Sequence, residues 1–110
     1  MAINRSEKIE ERIRELIAPF IEKMSNKTSL ITITRVFVYE HGRKGTIYVS
    51  VLPANPENEE SAVNFLKRQR KEMKHIITKG LGIHMVPFLD VEIDKGEKAR
   101  QTIDALLKQE

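Results

Sequence analysis

Residues 30–52, LITITRVFVYEHGRKGTIYVSVL, decide the fold. Leu30 to Tyr39 is dense in β-branched residues. Strict alternation puts Thr32, Thr34, Val36 and Val38 on one side and Ile31, Ile33, Arg35 and Phe37 on the other. Thr46 to Leu52 repeats that character, with Ile47, Val49 and Val51 alternating against Thr46, Tyr48 and Ser50. The connection from Glu40 to Gly45 is short, polar and carries Gly42 and Gly45, so the two strands are expected to form an antiparallel hairpin. Pro53 and Pro56 end the second strand, because neither can donate to a ladder.

Upstream, Asn4 is placed to cap a helix, with Glu7 three residues on. Ile9, Ile13, Leu16, Ile17, Phe20, Ile21 and Met24 then form one apolar stripe at helical spacing. Pro19 interrupts the backbone ladder of that stripe but not its phase, which predicts a kink between Glu15 and Pro19 and a helix that continues to Ser25-Asn26-Lys27. Downstream, a second long helix is expected from about Glu57 to Thr78. Ala62, Phe65, Leu66, Gln69, Met73, Ile76 and Ile77 share one face of it, and Lys67, Arg68, Arg70, Lys71, Lys74 and His75 fill the opposite one. Gly80 and Gly82 stop this helix. Ile83 to Ile93, interrupted by Pro87, reads as a third strand in which Leu89, Val91 and Ile93 alternate with Phe88, Asp90 and Glu92. Asp94-Lys95-Gly96 is a turn, and Ala99, Ile103, Leu106 and Leu107 mark a short last helix.

The chain has 110 residues, 40% of them apolar and 32% charged, which is the size and composition of one folded domain spanning 1–110. It has no cysteine, so thiol nucleophiles, disulfides and zinc–thiolate sites are excluded. No apolar run reaches the ~18–20 residues that span a bilayer, and no signal-peptide core precedes Arg5; a cytoplasmic protein without a membrane partner is expected. His41, His75 and His84 fall in no ligand or nucleophile spacing, and Asp90 with Glu92 is the ordinary polar side of a strand. The expectation is a protein that is not an enzyme, with no catalytic residue, metal or cofactor.

Charge distribution carries more information than the net +3. Between Lys67 and Lys79 lie six basic residues, Glu72 as the one acid, and His75. Lysines and arginines one turn apart can follow a phosphate backbone, with arginine adding forked hydrogen bonds. Gly42-Arg43-Lys44-Gly45 has the GxxG spacing by which K-homology domains clamp nucleic acid, but it joins two strands and reads as a turn whose Arg43 and Lys44 can reach phosphate from the tip. Tyr48 could stack on a base, although a single aromatic on a hairpin reads first as packing.

The element order and several strings together resemble the ribosome-binding factor A family from about Arg5 to Leu107. Thr34-Arg35-Val36-Phe37-Val38 with Ile47-Tyr48-Val49-Ser50-Val51-Leu52 is similar to the family's hairpin. Leu81-Gly82-Ile83-His84-Met85-Val86-Pro87-Phe88-Leu89 is similar to its passage into a V-P-x-L strand, and Asp94 with Ile103-Asp104-Ala105-Leu106-Leu107 to its end. The resemblance implies an α+β, type II K-homology-like fold in the order α-β-β-α-(kink)-α-β, with a three-stranded sheet, helices on one face and a short C-terminal helix. The family's usual Ala-x-Gly kink falls at Gln69-Arg70-Lys71, which holds no glycine, and His41 replaces the acid common in the hairpin turn. The sequence ends at Glu110, short of the charged tail that many relatives carry.

The family implies binding to the immature small (30S) ribosomal subunit through its 16S rRNA. It also implies help in late maturation including rRNA 5′-end processing, support for growth in the cold, release with an assembly GTPase, and action as a monomer. The expected RNA-binding residues are Lys67, Arg68, Arg70, Lys71, Lys74, His75 and Lys79, with Arg43 and Lys44 secondary. Two other readings stay open: a protein–protein module that adds an exposed edge strand to a partner, and a general single-stranded RNA binder.

Overall fold

A computed structural model describes residues 5–24, 29–83 and 85–96. Six elements follow in the order α1 (Arg5–Met24), β1 (Leu30–Tyr39), β2 (Lys44–Leu52), α2 (Pro56–Arg68), α3 (Arg70–Leu81) and β3 (Phe88–Ile93). The strands form one sheet in the order β1-β2-β3, with β1 and β2 antiparallel and β2 and β3 parallel. This is the α+β arrangement that the resemblance implies. Asn4, residues 25–28, His84 and the expected helix through Ala99, Ile103, Leu106 and Leu107 lie outside the described residues; Lys95 and Gly96, expected to be part of a turn, are helical.

The core is aliphatic and lies between one sheet face and the helices. Ile13, Ile17 and Ile21 of α1, Ile47 and Val49 of β2, Leu66 of α2, and Met73 and Ile77 of α3 have no exposed surface. The middle of the stripe read for α1 is buried, at Ile13, Ile17 and Ile21, while its ends Ile9 and Met24 are exposed; the helix runs unbroken through Pro19, whose ring lies on the exposed side. On β2 Ile47, Val49 and Val51 are buried as expected, but Thr46 on the opposite side is buried as well.

On β1 it does not, and the expected faces need correction. The buried set is Ile31 and Ile33, then Val36 and Val38. Strand pairing explains the change of parity: Ile33 pairs with Val49 and Arg35 with Tyr48, so Thr34 is an extra residue, a β-bulge. The bulge is pinned in place. The Thr34 hydroxyl lies within hydrogen-bonding distance of both the Tyr48 carbonyl, at 3.1 Å, and the Asp94 carboxylate. Asp94 is itself fixed at the end of β3 by donating its N–H to the Val49 carbonyl, 2.8 Å away.

The hairpin turn is tighter than the six-residue connection expected, because β2 begins at Lys44. The Arg43 N–H donates to the Glu40 carbonyl at 3.1 Å, and the central residues His41 and Gly42 have φ of 55° and 83°. Glu40 has a positive φ as well, at 52°, so three consecutive residues of the four-residue connection are left-handed, a conformation open without steric cost only to the glycine.

The expected single helix from Glu57 to Thr78 is two helices. Asn55 caps α2 by accepting from the Asn58 N–H at 2.8 Å, and Pro56 occupies its first turn. At Gln69 the backbone leaves the helical region, with φ −95° and ψ 11°, and its N–H reaches the Leu66 carbonyl instead of the one before it. No glycine is needed, since this bridge region is open to ordinary residues. The apolar stripe could not reveal the break: Leu66 and Met73 are seven residues apart, about two turns, so both remain on the buried side. The break lets α2 pack on β2 and β3 while α3 packs on α1. Gly82, at φ 66°, caps α3 in the left-handed conformation, and Gly80 lies inside the helix.

The third strand is shorter than the span 83–93 expected. Phe88 pairs with Lys44, the first residue of β2, so residues 85–87 face a turn and have no ladder to join. If the Thr34 hydroxyl ties the bulge to the end of β3, Thr34→Val should keep the sheet but lower stability by about 1–2 kcal/mol, read as a lower urea midpoint with an unchanged far-ultraviolet circular-dichroism spectrum.

Candidate nucleic-acid interface

The basic residues read from the sequence do not form one stripe. The helix break and the hairpin tip sort them into groups. Arg70, Lys71 and Lys74, on the first turns of α3, line a groove of about 440 Å³ together with Arg43 from the hairpin turn. Val86, Pro87, Phe88 and Leu89 form its apolar wall. The hairpin tip is held there by backbone, since the Phe88 N–H donates to the Arg43 carbonyl at 2.9 Å. A residue from the turn and three from the helix thus converge, although 27 positions separate Arg43 from Arg70 in the chain.

Arg70 has a structural task as well. Its Nε donates to the Leu89 carbonyl at 2.6 Å, its Nη2 lies 3.2 Å from Asp90 Oδ1, and its guanidinium stacks 4.6 Å above the Phe88 ring. Lys67 Nζ lies 3.5 Å from the same Asp90 oxygen. Burial works against the charged form of Asp90, but the Val91 N–H, Lys67 and Arg70 outweigh it and hold this carboxyl below its ordinary range. Asp90, the polar side of a strand in the sequence reading, is the anchor between β3 and the helix break. Two of the expected contacts, Lys67 and Arg70, are therefore partly spent on the fold.

The other candidates spread out. Arg68 is exposed on a different side, beside Met24, Ser29 and Phe65. His75 and Lys79 are exposed farther along α3, Lys79 in its last turn. Lys44 is exposed at the start of β2, 3.7 Å from Glu40, a surface pair of little energetic weight. Among the described residues no ion pair engages Arg43, Arg68, Lys71, Lys74 or Lys79. Sequence reasoning missed Phe88, exposed in the groove wall, because only the parallel pairing of β3 with β2 brings it beside Arg43. Among the described residues no cluster of three or more His, Asp or Glu could hold a metal, and no helix is long and apolar enough to cross a membrane.

Each free sheet edge has backbone groups taken by side chains. On β1 the Val38 N–H donates to Glu10 of α1 at 2.6 Å. On β3 the Leu89 carbonyl accepts from Arg70, and the Val91 N–H is taken by the side chain of Asp90 at 2.9 Å. These plugs are the usual protection against strand addition.

A pH test follows from Asp90. A carboxyl held below its ordinary range contributes stability that is fully present above that range, near pH 4 and upward, and is lost as pH falls through its lowered native value. Asp90→Asn should therefore lower the urea midpoint at pH 7, and its gap to wild type should shrink as the pH falls below about 4. A gap that stays constant to acid would show that the charge of Asp90 contributes nothing to the lock.

The profile of the ribosome-binding factor A family matches residues 5–107. Ribosome-binding factor A of Thermosipho africanus is 32% identical over 108 residues, covering 94% of this chain and 85% of that protein. The Geobacter sulfurreducens protein of the same name is 33% identical over 114 residues, covering 96% and 91%. Among solved structures, the crystal structure of ribosome-binding factor A from Thermus thermophilus superposes with a TM-score of 0.69 at 18% identity, over 80% of this chain and 93% of that one. The Thermotoga maritima solution structure of a putative ribosome-binding factor A gives 0.59 at 23% identity, over 78% and 79%. With the hairpin, the broken helix pair and the parallel third strand all in place, the chain belongs to the ribosome-binding factor A family.

Proposed function

We propose that this protein binds the small (30S) ribosomal subunit, in precursor or free form, through its 16S rRNA and assists late maturation, including processing of the rRNA 5′ end. It acts as a binding protein without chemistry of its own, as a cytoplasmic monomer, and an assembly GTPase drives its release. The observation that carries this reading is the groove in which Arg43, Arg70, Lys71 and Lys74 converge over an apolar wall. Phosphates meet the cations, arginine offers forked hydrogen bonds, and the wall accepts the less polar face of a nucleotide. A coordinate set of the Thermus thermophilus relative, fitted into a cryo-electron-microscopy map of its complex with the 30S subunit, has the same fold at a TM-score of 0.67, which supports the choice of partner. The plugged sheet edges speak against the strand-adding alternative.

Lys71 and Lys74 are the contacts to test, with Arg43 beside them; Lys67 and Arg70 serve the fold, and Arg68, His75, Lys79 and Lys44 are peripheral contacts. The double variant Lys71→Glu/Lys74→Glu should lose co-sedimentation with precursor subunits while keeping the wild-type melting temperature. Adding Lys67→Glu and Arg70→Glu should lower that temperature as well, because Asp90 then faces carboxylates. Wild-type binding should fall with salt at a log–log slope of about −3 for four phosphates. It should survive excess transfer RNA, which would strip a general RNA binder from the subunit. Full retention of the folded double variant on the subunit would place the interface elsewhere.

A further inference from the structure

The chain has six aromatic residues and no tryptophan, and four of the six lie away from the core. Strand register puts them on the outer face of the sheet in successive cross-strand rows. Tyr39, Lys44 and Phe88 form one row, Phe37, Thr46 and Asp90 the next, and Arg35, Tyr48 and Glu92 the third. Phe37 is 43% exposed, Tyr39 36% and Phe88 61%. The Phe37 and Tyr39 rings stack with centroids 5.7 Å apart and planes 22° from parallel. The Arg35 guanidinium lies 5.2 Å from the Tyr48 ring centre and 5.7 Å from that of Phe37. The result is a continuous π and cation ladder, Tyr48–Arg35–Phe37–Tyr39, on rigid strands and outside the groove.

We infer that this outer sheet face stacks the unpaired bases of a single-stranded nucleic acid. Exposed rings and a guanidinium plane accept the face of any base, and stacking of this kind is how open sheets hold unpaired strands. Charge fits the same occupant. Arg35 and Lys44 stand within the rows, and Arg43 at the hairpin tip joins this face to the basic groove. Of the two acids on the face, Asp90 is already ion-paired, which leaves Glu92 on the β3 side as an acceptor for base amino groups. A hollow of about 680 Å³ lies at that end of β3, where Arg35, Tyr48 and Glu92 meet Val63 of α2 and Ile93. The inference rests on the reading of this protein as an RNA binder but assigns a second surface, so one strand could run from groove to sheet around the hairpin tip.

Both tyrosines sit on this face, so tyrosine emission reports on it directly. Single-stranded octanucleotide RNA should quench that emission saturably, whereas blunt duplex RNA and inorganic polyphosphate should bind at low salt without quenching. Phe37→Leu/Tyr39→Leu keeps the apolar bulk and removes the π faces. It should weaken single-strand affinity about tenfold, leave polyphosphate affinity unchanged and preserve the circular-dichroism spectrum. Unchanged single-strand affinity in this folded variant would overturn the inference, as would a wild-type dimer in sedimentation velocity that the variant abolishes, since a second copy would then cover the face. Failure of the ribosomal reading shows separately, as loss of wild-type protein from the subunit peak while octanucleotide quenching persists.

Discussion

Arg70 is the residue on which the rest of the arrangement depends. It follows the break at Gln69 and reaches over the open edge of β3, where its guanidinium meets the Leu89 carbonyl, the Asp90 carboxylate and the Phe88 ring at once. One side chain thus fixes the direction of α3, closes a sheet edge and shapes the wall of the basic groove. Its charge is compensated by Asp90, so the half-buried site leaves no isolated ion in a poorly solvated place. The neighbours Lys71 and Lys74 have no such partner among the described residues, and their positive potential stays available to solution.

The sheet divides the protein into two chemically different surfaces. Its inner face is aliphatic and closed by three helices, so it contributes stability through buried area. Its outer face has no helix among the described residues and carries rings, hydroxyls and cations. Glu10 caps one backbone group on the β1 edge, and Arg70 and Asp90 cap two on the β3 edge, which counts against recruitment of another strand at those positions. What remains for recognition is side-chain chemistry: a cationic groove on one flank and an aromatic ladder on the open face, meeting at the hairpin tip.

Local patterns were legible where a single element sets them. The bounds of β1, the apolar stripe of α1 and the inward set of β2 all follow from alternation or helical period, because each depends on which side of one element faces the core. The bulge at Thr34 escaped the same logic. Its bonds to Tyr48 and Asp94 come from other strands, and a change of parity within a β-branched run leaves no composition signal. The break at Gln69 was hidden for a related reason: seven residues between Leu66 and Met73 keep phase with or without it.

The sequence by itself determined the family, the succession of helices and strands apart from the break at Gln69, the hairpin and the presence of an exposed cationic helix segment, since all of these are written in local spacing and residue type. Tertiary structure alone decided which cations act together. The parallel docking of β3 beside β2 sets Phe88 against Arg43 and Asp90 against Lys67 and Arg70, and it splits a uniform-looking stripe into structural and available charges. That pairing is non-local. It is selected by how the faces pack and by which charge finds a partner, neither of which a one-dimensional period contains.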